Sequence, residues 1–298
     1  MLKISGVEIA QKIIDELKTK PKPEKILAAV LVDSTSSPRV GKNPASISFL
    51  NQKEKIAKEL GVDFRIYKFP ENIKNDDLRQ EANKIASLKK VGGVIIQLPL
   101  PNHLNSQYIL NVIPREKDID VLGERALGAF YTGRNLVLPP SVSVVEEIIN
   151  VSSFKLQVSR VAVVGLGFLI GKPIATWLIG NPSAKLGARY QEIYLLDEGS
   201  DLKILKQVDL VISGVGKAGI IKLEMLKNDA IIIDFGYSMK HETGSMKQKI
   251  YGDFDSSALN VSGFKLHASG FYTPTPNGTG PILVAKIFEN FYKLNSSK

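Results

Sequence analysis

Cysteine is absent from all 298 residues. Disulfides, thiolate nucleophiles and most structural zinc sites are thereby excluded. Histidine is nearly as scarce. His103, His241 and His267 lie far apart without ligand spacing, so no metal is expected. No apolar run approaches the roughly 18 residues that a membrane span needs. The opening stretch MLKISGVEIAQKIIDELKTK lacks the uninterrupted apolar region of a signal peptide. Its charges recur every few residues, and Val7, Ala10, Ile13, Ile14 and Leu17 follow a helical period. A cytoplasmic protein with no membrane partner is expected. Basic blocks with interleaved aromatics are missing too. Lys and Arg exceed Asp and Glu by 39 to 30, but the excess is spread along the chain. A solvated lysine-rich surface accounts for it, and nucleic acid is not an expected partner.

What is present is a regular alternation of strands and helices, the signature of α/β architecture with largely parallel sheets. Its most informative stretch is VAVVGLGFLIGKP, residues 161 to 173. Val161, Val163 and Val164, with Ala162, make the short apolar run of a central strand. Gly165 then permits a tight turn, Gly167 a close backbone approach to a pyrophosphate, and Gly171 close packing of the following helix. The helix N-terminus offers free N–H groups to phosphates. The next strand, IYLLD, ends in Asp197, whose carboxylate can accept both hydroxyls of a ribose and would repel a 2′-phosphate. Asp197 lies 30 residues beyond Gly167, where about 20 is usual. A loop insertion over 180 to 192 explains the excess. The alternative is a nucleotide-free domain in which Asp197 merely caps a turn.

The first half reads as strands ILAAVLVD, VDFRIYKF and VGGVIIQLPLP separated by two helices. The first helix begins at Asn43-Pro44 and stops at Gly61. On a wheel with Ile47 at zero, Phe49, Leu50, Ile56, Ala57 and Leu60 fall between roughly 180° and 300°, and Lys53 falls at about 240°, inside that apolar arc. A lysine aimed inward must snorkel, pair, or lose its proton. Gln97 is a second anomaly, one amide within VIIQLPLP at the carboxyl end of a strand, where ligands collect in open α/β sheets. It either serves a ligand or satisfies loop backbone groups. Asp118 and Asp120 follow in KDID; on an extended segment they share a face, and one of the two is expected only to cap a turn. VLPPSVSVVEEIINVSSF marks a domain boundary. Beyond it, VDLVISGVG and AIIIDFG read as strands ending in glycine, PTPNGTGP as a rigid loop, and ILVAKIFENFYKL as a closing helix.

Taken in order, NPASISFLNQK, GVIIQLPLP, KDID, VVGLGFLIGKPIA, VGKAG, IDFG, GDFD and TPTPNGTGP resemble the motifs of the methylenetetrahydrofolate dehydrogenase/cyclohydrolase (FolD) family. The resemblance implies two α/β domains. Residues 1–139 and 282–298 would form the substrate domain, closed by the last helix, and 140–281 a Rossmann dinucleotide-binding domain, with the pterin held between them. It implies oxidation of 5,10-methylenetetrahydrofolate, or a related pterin, to the methenyl form with hydride passing to NAD(P). Hydrolysis of the methenyl form to 10-formyltetrahydrofolate follows. Lys53 matches the catalytic lysine, Gln97 the glutamine that contacts it, and Asp120 the aspartate that holds the pterin. Phe49, Leu98, Pro276, Asn277 and Gly280 match substrate positions. Gly165, Leu166, Gly167, Gly171, Asp197 and Tyr237 fall at cofactor positions. A homodimer is implied as well.

The departures are specific. Phe49 replaces the usual tyrosine and lacks its hydroxyl, which touches the cyclohydrolase half. Leu166-Gly167 replaces Arg-Ser, removing a usual partner of a 2′-phosphate, so NAD is expected over NADP unless Lys185 or Arg189 compensates. Val121 and Asn277 replace glycines, and PPSV replaces P-C-T-P, which points to a divergent pocket. Two other readings stay open: a family member with dehydrogenase activity only, and a non-catalytic dinucleotide-binding regulator.

Overall fold

The computed structural model describes residues 1–32, 44–151, 158–180, 191–241, 248–260 and 270–296. The chain divides into two compact units. The first comprises Met1–Ala10 and Ser141–Leu283, the second Gln11–Pro140 and Val284–Lys298.

The first unit is built on a six-stranded sheet. Its order is Leu2–Lys3, Phe271–Tyr272, Ile231–Asp234, Leu210–Ser213, Arg160–Val164, Glu192–Leu196. Every neighbouring pair is parallel. The three middle strands are aliphatic and buried almost throughout, as strands covered on both faces must be. From Arg160–Val164 the chain goes to one side for Glu192–Leu196 and to the other for Leu210–Ser213. That reversal makes a topological switch point at the carboxyl end of Arg160–Val164, where α/β sheets take their ligands.

The compact units divide the chain differently from the expected domains at one point, since residues 1 to 10 pack in the first unit. Leu2–Lys3 pairs with Phe271–Tyr272, and the Gly6 N–H donates to the Asn277 carbonyl at 3.0 Å. Only glycine fits at that crossing, because a Cβ on Gly6 would lie 1.7 Å from the Gly278 carbonyl oxygen. A hairpin of Ser238–His241 with Gln248–Tyr251 was also unanticipated. The expected helix start at Asn43, and residues 181–190 of the expected insertion, lie outside the described residues.

The second unit holds a parallel sheet ordered Phe64–Phe69, Ile26–Val32, Val91–Ile96. The helix Pro44–Leu60 links the central strand to one neighbour, and Asn75–Ser87 leads to the other. The first of these helices ends at Gly61, whose φ of +66° suits a left-handed terminator. Asp118 adds a short parallel bridge beside Val94, and the Val94 N–H donates to the Lys117 carbonyl at 2.8 Å. The last helix, Thr279–Asn295, supplies Phe291 to this core; a Cβ on Gly93 would come within 2.8 Å of its ring. Asn290 of the same helix is buried and donates to the carbonyls of Ile119 at 2.8 Å and Leu138 at 2.9 Å. Among the described residues no helix is long and apolar enough to cross a membrane.

Candidate active site

The second unit brings Lys53, Gln97 and Asp120 together. Lys53 is only 5% exposed, so it does not snorkel. Its Nζ donates to Gln97 Oε1 at 3.0 Å. Gln97 does satisfy a loop backbone group: its Nε2 donates to the Leu98 carbonyl at 3.0 Å, which leaves its oxygen to face the lysine. The Gln97 backbone is fixed in turn by its N–H on the Val30 carbonyl, 2.9 Å away. Burial lowers the Lys53 pKa, and the Asp120 charge pulls it back up. The same burial raises the Asp120 carboxyl, with Lys53 opposing. A neutral amide cannot replace the hydration of an ammonium as a carboxylate can, so the direction for Lys53 is downward. Phe49 lies one helical turn before Lys53 and is half-buried, as is Leu98.

Asp118 is the aspartate that caps. Its carboxylate accepts the N–H groups of Leu122, at 3.0 Å, and Gly123, at 2.8 Å. Burial pushes its carboxyl up to about 7, with the Gly123 N–H opposing. The segment is not extended here. The Val121 N–H on the Asp118 carbonyl at 3.3 Å closes a turn over the two aspartates, and Val121 itself sits at φ +56°. The family's usual glycine at this place is therefore a backbone requirement, and Val121 meets it under strain. Its side chain is 2% exposed and packs in the interior.

Magnitudes give a test of that strain. Left-handed backbone costs a non-glycine residue roughly 1–2 kcal/mol, which Val121→Gly would relieve while losing the burial of the side chain, about 1.5–3 kcal/mol. Val94, also 2% exposed, lies in an ordinary strand. Urea unfolding is expected to show Val121→Gly costing about 1–2 kcal/mol less than Val94→Gly. Equal costs would remove the strain argument.

In the first unit the three motif glycines have different reasons to be glycine. Gly165 adopts φ +86°, and a Cβ there would press on the Gly214 carbonyl at 3.0 Å. A Cβ on Gly171 would stand 1.9 Å from the Gly165 carbonyl oxygen, so Gly171 packs on the turn itself. Gly167 is exposed, and a Cβ there would meet nothing within 4 Å. Its openness lies just before the helix Gly171–Gly180, in whose first turn the Lys172 N–H is held by the Gly167 carbonyl at 3.0 Å and Pro173 has no N–H to give. Leu166 is half-buried beside it. Asp197 is exposed just past the strand Glu192–Leu196. The turn after it is closed by the Ser200 N–H on the Asp197 carbonyl at 3.0 Å and the Asp197 N–H on Ser200 Oγ at 3.0 Å. Among the described residues that turn makes no use of the Asp197 carboxylate. An open glycine, a helix start and an exposed carboxylate at the switch point fit a dinucleotide. Lys185 and Arg189 lie outside the described residues.

Tyr237 is half-buried just beyond Ile231–Asp234, and burial raises its phenol. Pro276 and Asn277 are exposed on the loop before the last helix, and Gly280 is half-buried in that helix's first turn. Asn277 has φ +76°, a conformation asparagine tolerates better than most residues. These three belong to the first unit, whereas Lys53, Gln97 and Asp120 belong to the second.

The chain matches the tetrahydrofolate dehydrogenase/cyclohydrolase catalytic domain over residues 4–120 and the NAD(P)-binding domain of that family over residues 139–298. It belongs to the tetrahydrofolate dehydrogenase/cyclohydrolase family. The bifunctional protein FolD of Clostridium botulinum (strain Alaska E43 / Type E3) is 31% identical over 287 residues, covering 96% of this chain and 95% of that one. The bifunctional protein FolD of Mycoplasmopsis synoviae (strain 53) is 34% identical over 260 residues, 86% of this chain and 87% of its own. The crystal structure of the bifunctional enzyme FolD from Campylobacter jejuni, 27% identical, matches with a TM-score of 0.81 over 98% of this chain and 97% of that one. Membership makes the chain an enzyme of folate one-carbon chemistry that uses NAD(P), with methylenetetrahydrofolate dehydrogenase and methenyltetrahydrofolate cyclohydrolase activities.

Two further carboxylates lie within the family motifs IDFG and GDFD. Asp234 and Asp253 are 1% and 0% exposed. Asp234 Oδ1 accepts the Gly236 N–H at 2.6 Å, and its Oδ2 accepts the Phe254 N–H at 2.9 Å. Burial pushes its carboxyl up to about 7, against the pull of the Phe254 N–H and with Asp253 adding to the rise. The available signal was an acidic residue ending the aliphatic run AIIID, the same kind of anomaly that singled out Gln97.

Proposed function

We propose that Lys53 is the proton-transfer group of the cyclohydrolase step and that the dehydrogenase step uses NAD in preference to NADP. The burial of Lys53 on a neutral amide carries the first part. Hydride loss from the methylene carbon is driven by the lone pairs of its two nitrogens, so it needs positioning more than an acid or base. The nicotinamide, when bound, supplies the two-electron acceptor. Asp120 holds the pterin, and the phenyl face of Phe49 stacks beside it. Hydration differs: water must lose a proton as its oxygen bonds to the methenyl carbon. The carbon–N5 bond then breaks, N5 gains a proton, and one proton is released overall. A neutral Lys53 amine accepts the first proton and delivers the second. The set Lys53, Gln97 and Asp120 argues against a non-catalytic regulator, which has no use for a buried amine.

One spectrophotometric assay tests the reading. Methylenetetrahydrofolate should reduce NAD in the presence of enzyme, and methenyltetrahydrofolate should be hydrolysed without any dinucleotide. Phe49→Tyr restores a hydroxyl one helical turn from the lysine. It should raise cyclohydrolase kcat several-fold, within the roughly 10²-fold or more that positioned proton transfer can supply, and leave the hydride step unchanged. An unaltered cyclohydrolase rate would deny the hydroxyl any part in proton relay here. The assembly proposed is a homodimer, which sedimentation equilibrium would check.

A further inference from the structure

The carboxyl ends of Leu210–Ser213 and Ile231–Asp234 feed loops that would otherwise have only exposed backbone to hold them. Asp253 reaches into this region from the segment after Gln248–Tyr251. Its Oδ2 accepts the Ser213 hydroxyl at 2.7 Å and the Val215 N–H at 2.7 Å. Its Oδ1 accepts the Lys217 N–H at 2.8 Å. One fully buried carboxylate thus sets the path of Gly214–Lys217. That path borders the glycine turn, since a Cβ on Gly165 would lie 3.0 Å from both the Gly214 carbonyl oxygen and the Val215 nitrogen. Asp253 is itself held by Asp234, whose Oδ1 accepts the Asp253 N–H at 3.2 Å. Close fit enforces the arrangement: a Cβ on Gly236 would come 2.3 Å from Asp253 Oδ1, and one on Gly252 would come 2.1 Å from Asp234 Oδ2.

We propose that Asp253 is a positioning residue for the dinucleotide: it fixes the loop that borders the Gly165–Gly171 turn by holding Val215 and Lys217. The proposal rests on the reading of that turn as the cofactor site. Three donors on one buried carboxylate are a demanding arrangement, because each lost partner leaves a buried polar group unsatisfied. An apolar residue in its place would leave the Ser213 hydroxyl and both loop N–H groups without an acceptor. What the carboxylate adds is a fixed loop path at the sheet edge where cofactor binds.

The test uses the full chain and both activities. In Asp253→Asn the amide must turn an N–H toward either Lys217 or the Ser213–Val215 pair, so one side of the loop is released. The dinucleotide Kd, measured by fluorescence titration without folate, should rise at least tenfold, and KM for the dinucleotide should rise with it. Cyclohydrolase activity, which needs no dinucleotide, should stay within about twofold to threefold and so reports that the protein remains folded. Ser213→Ala removes one donor and leaves both loop N–H groups, so a smaller rise of roughly two- to fivefold is expected. It serves as the test if the asparagine variant does not fold. Unchanged dinucleotide Kd in either folded variant overturns the proposal, as does a parallel loss of both activities. If wild type binds dinucleotide but does not act on folate, and Asp253→Asn still weakens that binding, the folate reading fails and this inference stands.

Discussion

Lys53→Met should slow the hydrolysis of methenyltetrahydrofolate by about 10²–10⁴-fold, the range that a positioned general acid–base supplies. The hydride step should fall far less, because it requires no proton transfer. Met fills much the same volume and leaves the helix Pro44–Leu60 intact, so the comparison isolates the amine. It also leaves Gln97 Oε1 without its donor and Asp120 without a neighbouring cation, so the variant should melt no higher than wild type. Loss of one activity with the other retained would identify Lys53 as kept for chemistry. The pH profile supplies the sign. Burial lowers the lysine pKa from 10.5, so the neutral amine is present above the lowered value and is lost as pH falls through it. Wild-type hydration should therefore decline on the acid side, and that limb should vanish in Lys53→Met. Asp120 loses a neighbouring cation in the variant, which raises its carboxyl further. Some weakening of pterin binding is expected from this, seen as a higher KM in both reactions. If kcat for both reactions fell equally, Lys53 would be holding substrate rather than moving protons.

The parts of this site that could be read from the chain are those where one residue breaks a regular pattern. Lys53 stands inside an apolar helical arc, Gln97 interrupts an aliphatic run, and the glycines follow a strand directly. Each anomaly is local, so spacing alone reveals it. That one of Asp118 and Asp120 caps a turn was legible from the pattern, but which of them was not. Two residues apart on an extended segment they share a face, but the Val121 N–H on the Asp118 carbonyl and the N–H groups of Leu122 and Gly123 on its carboxylate make the segment a turn. The two-residue strands Leu2–Lys3 and Phe271–Tyr272 were illegible for another reason. Two residues carry no period, and the partners that define them are far away in sequence. Asp253 combines both obstacles, since its three donors come from a loop some 40 residues earlier.

Cofactor choice should follow Asp197 and Leu166, with wild type favouring NAD over NADP by at least tenfold in kcat/KM, about 1.4 kcal/mol. The physical basis is one carboxylate against a 2′-phosphate carrying close to two charges. At about 4 Å in water each unit pair repels by roughly 1 kcal/mol, and more where water is excluded. Asp197 is exposed, so the low end applies and a preference between ten- and a hundredfold is expected rather than a thousandfold. For the same reason the preference should narrow as salt is raised. Asp197→Ser should remove most of it without creating an NADP enzyme, because no cation is gained. Adding Leu166→Arg supplies a guanidinium next to the open Gly167, and the double variant should reverse the preference. A wild-type enzyme that prefers NADP tenfold would mean that Lys185 or Arg189 outweighs the carboxylate. Arg189→Ala would then restore NAD preference, and the residues that write cofactor choice would lie in the insertion rather than at the end of the strand.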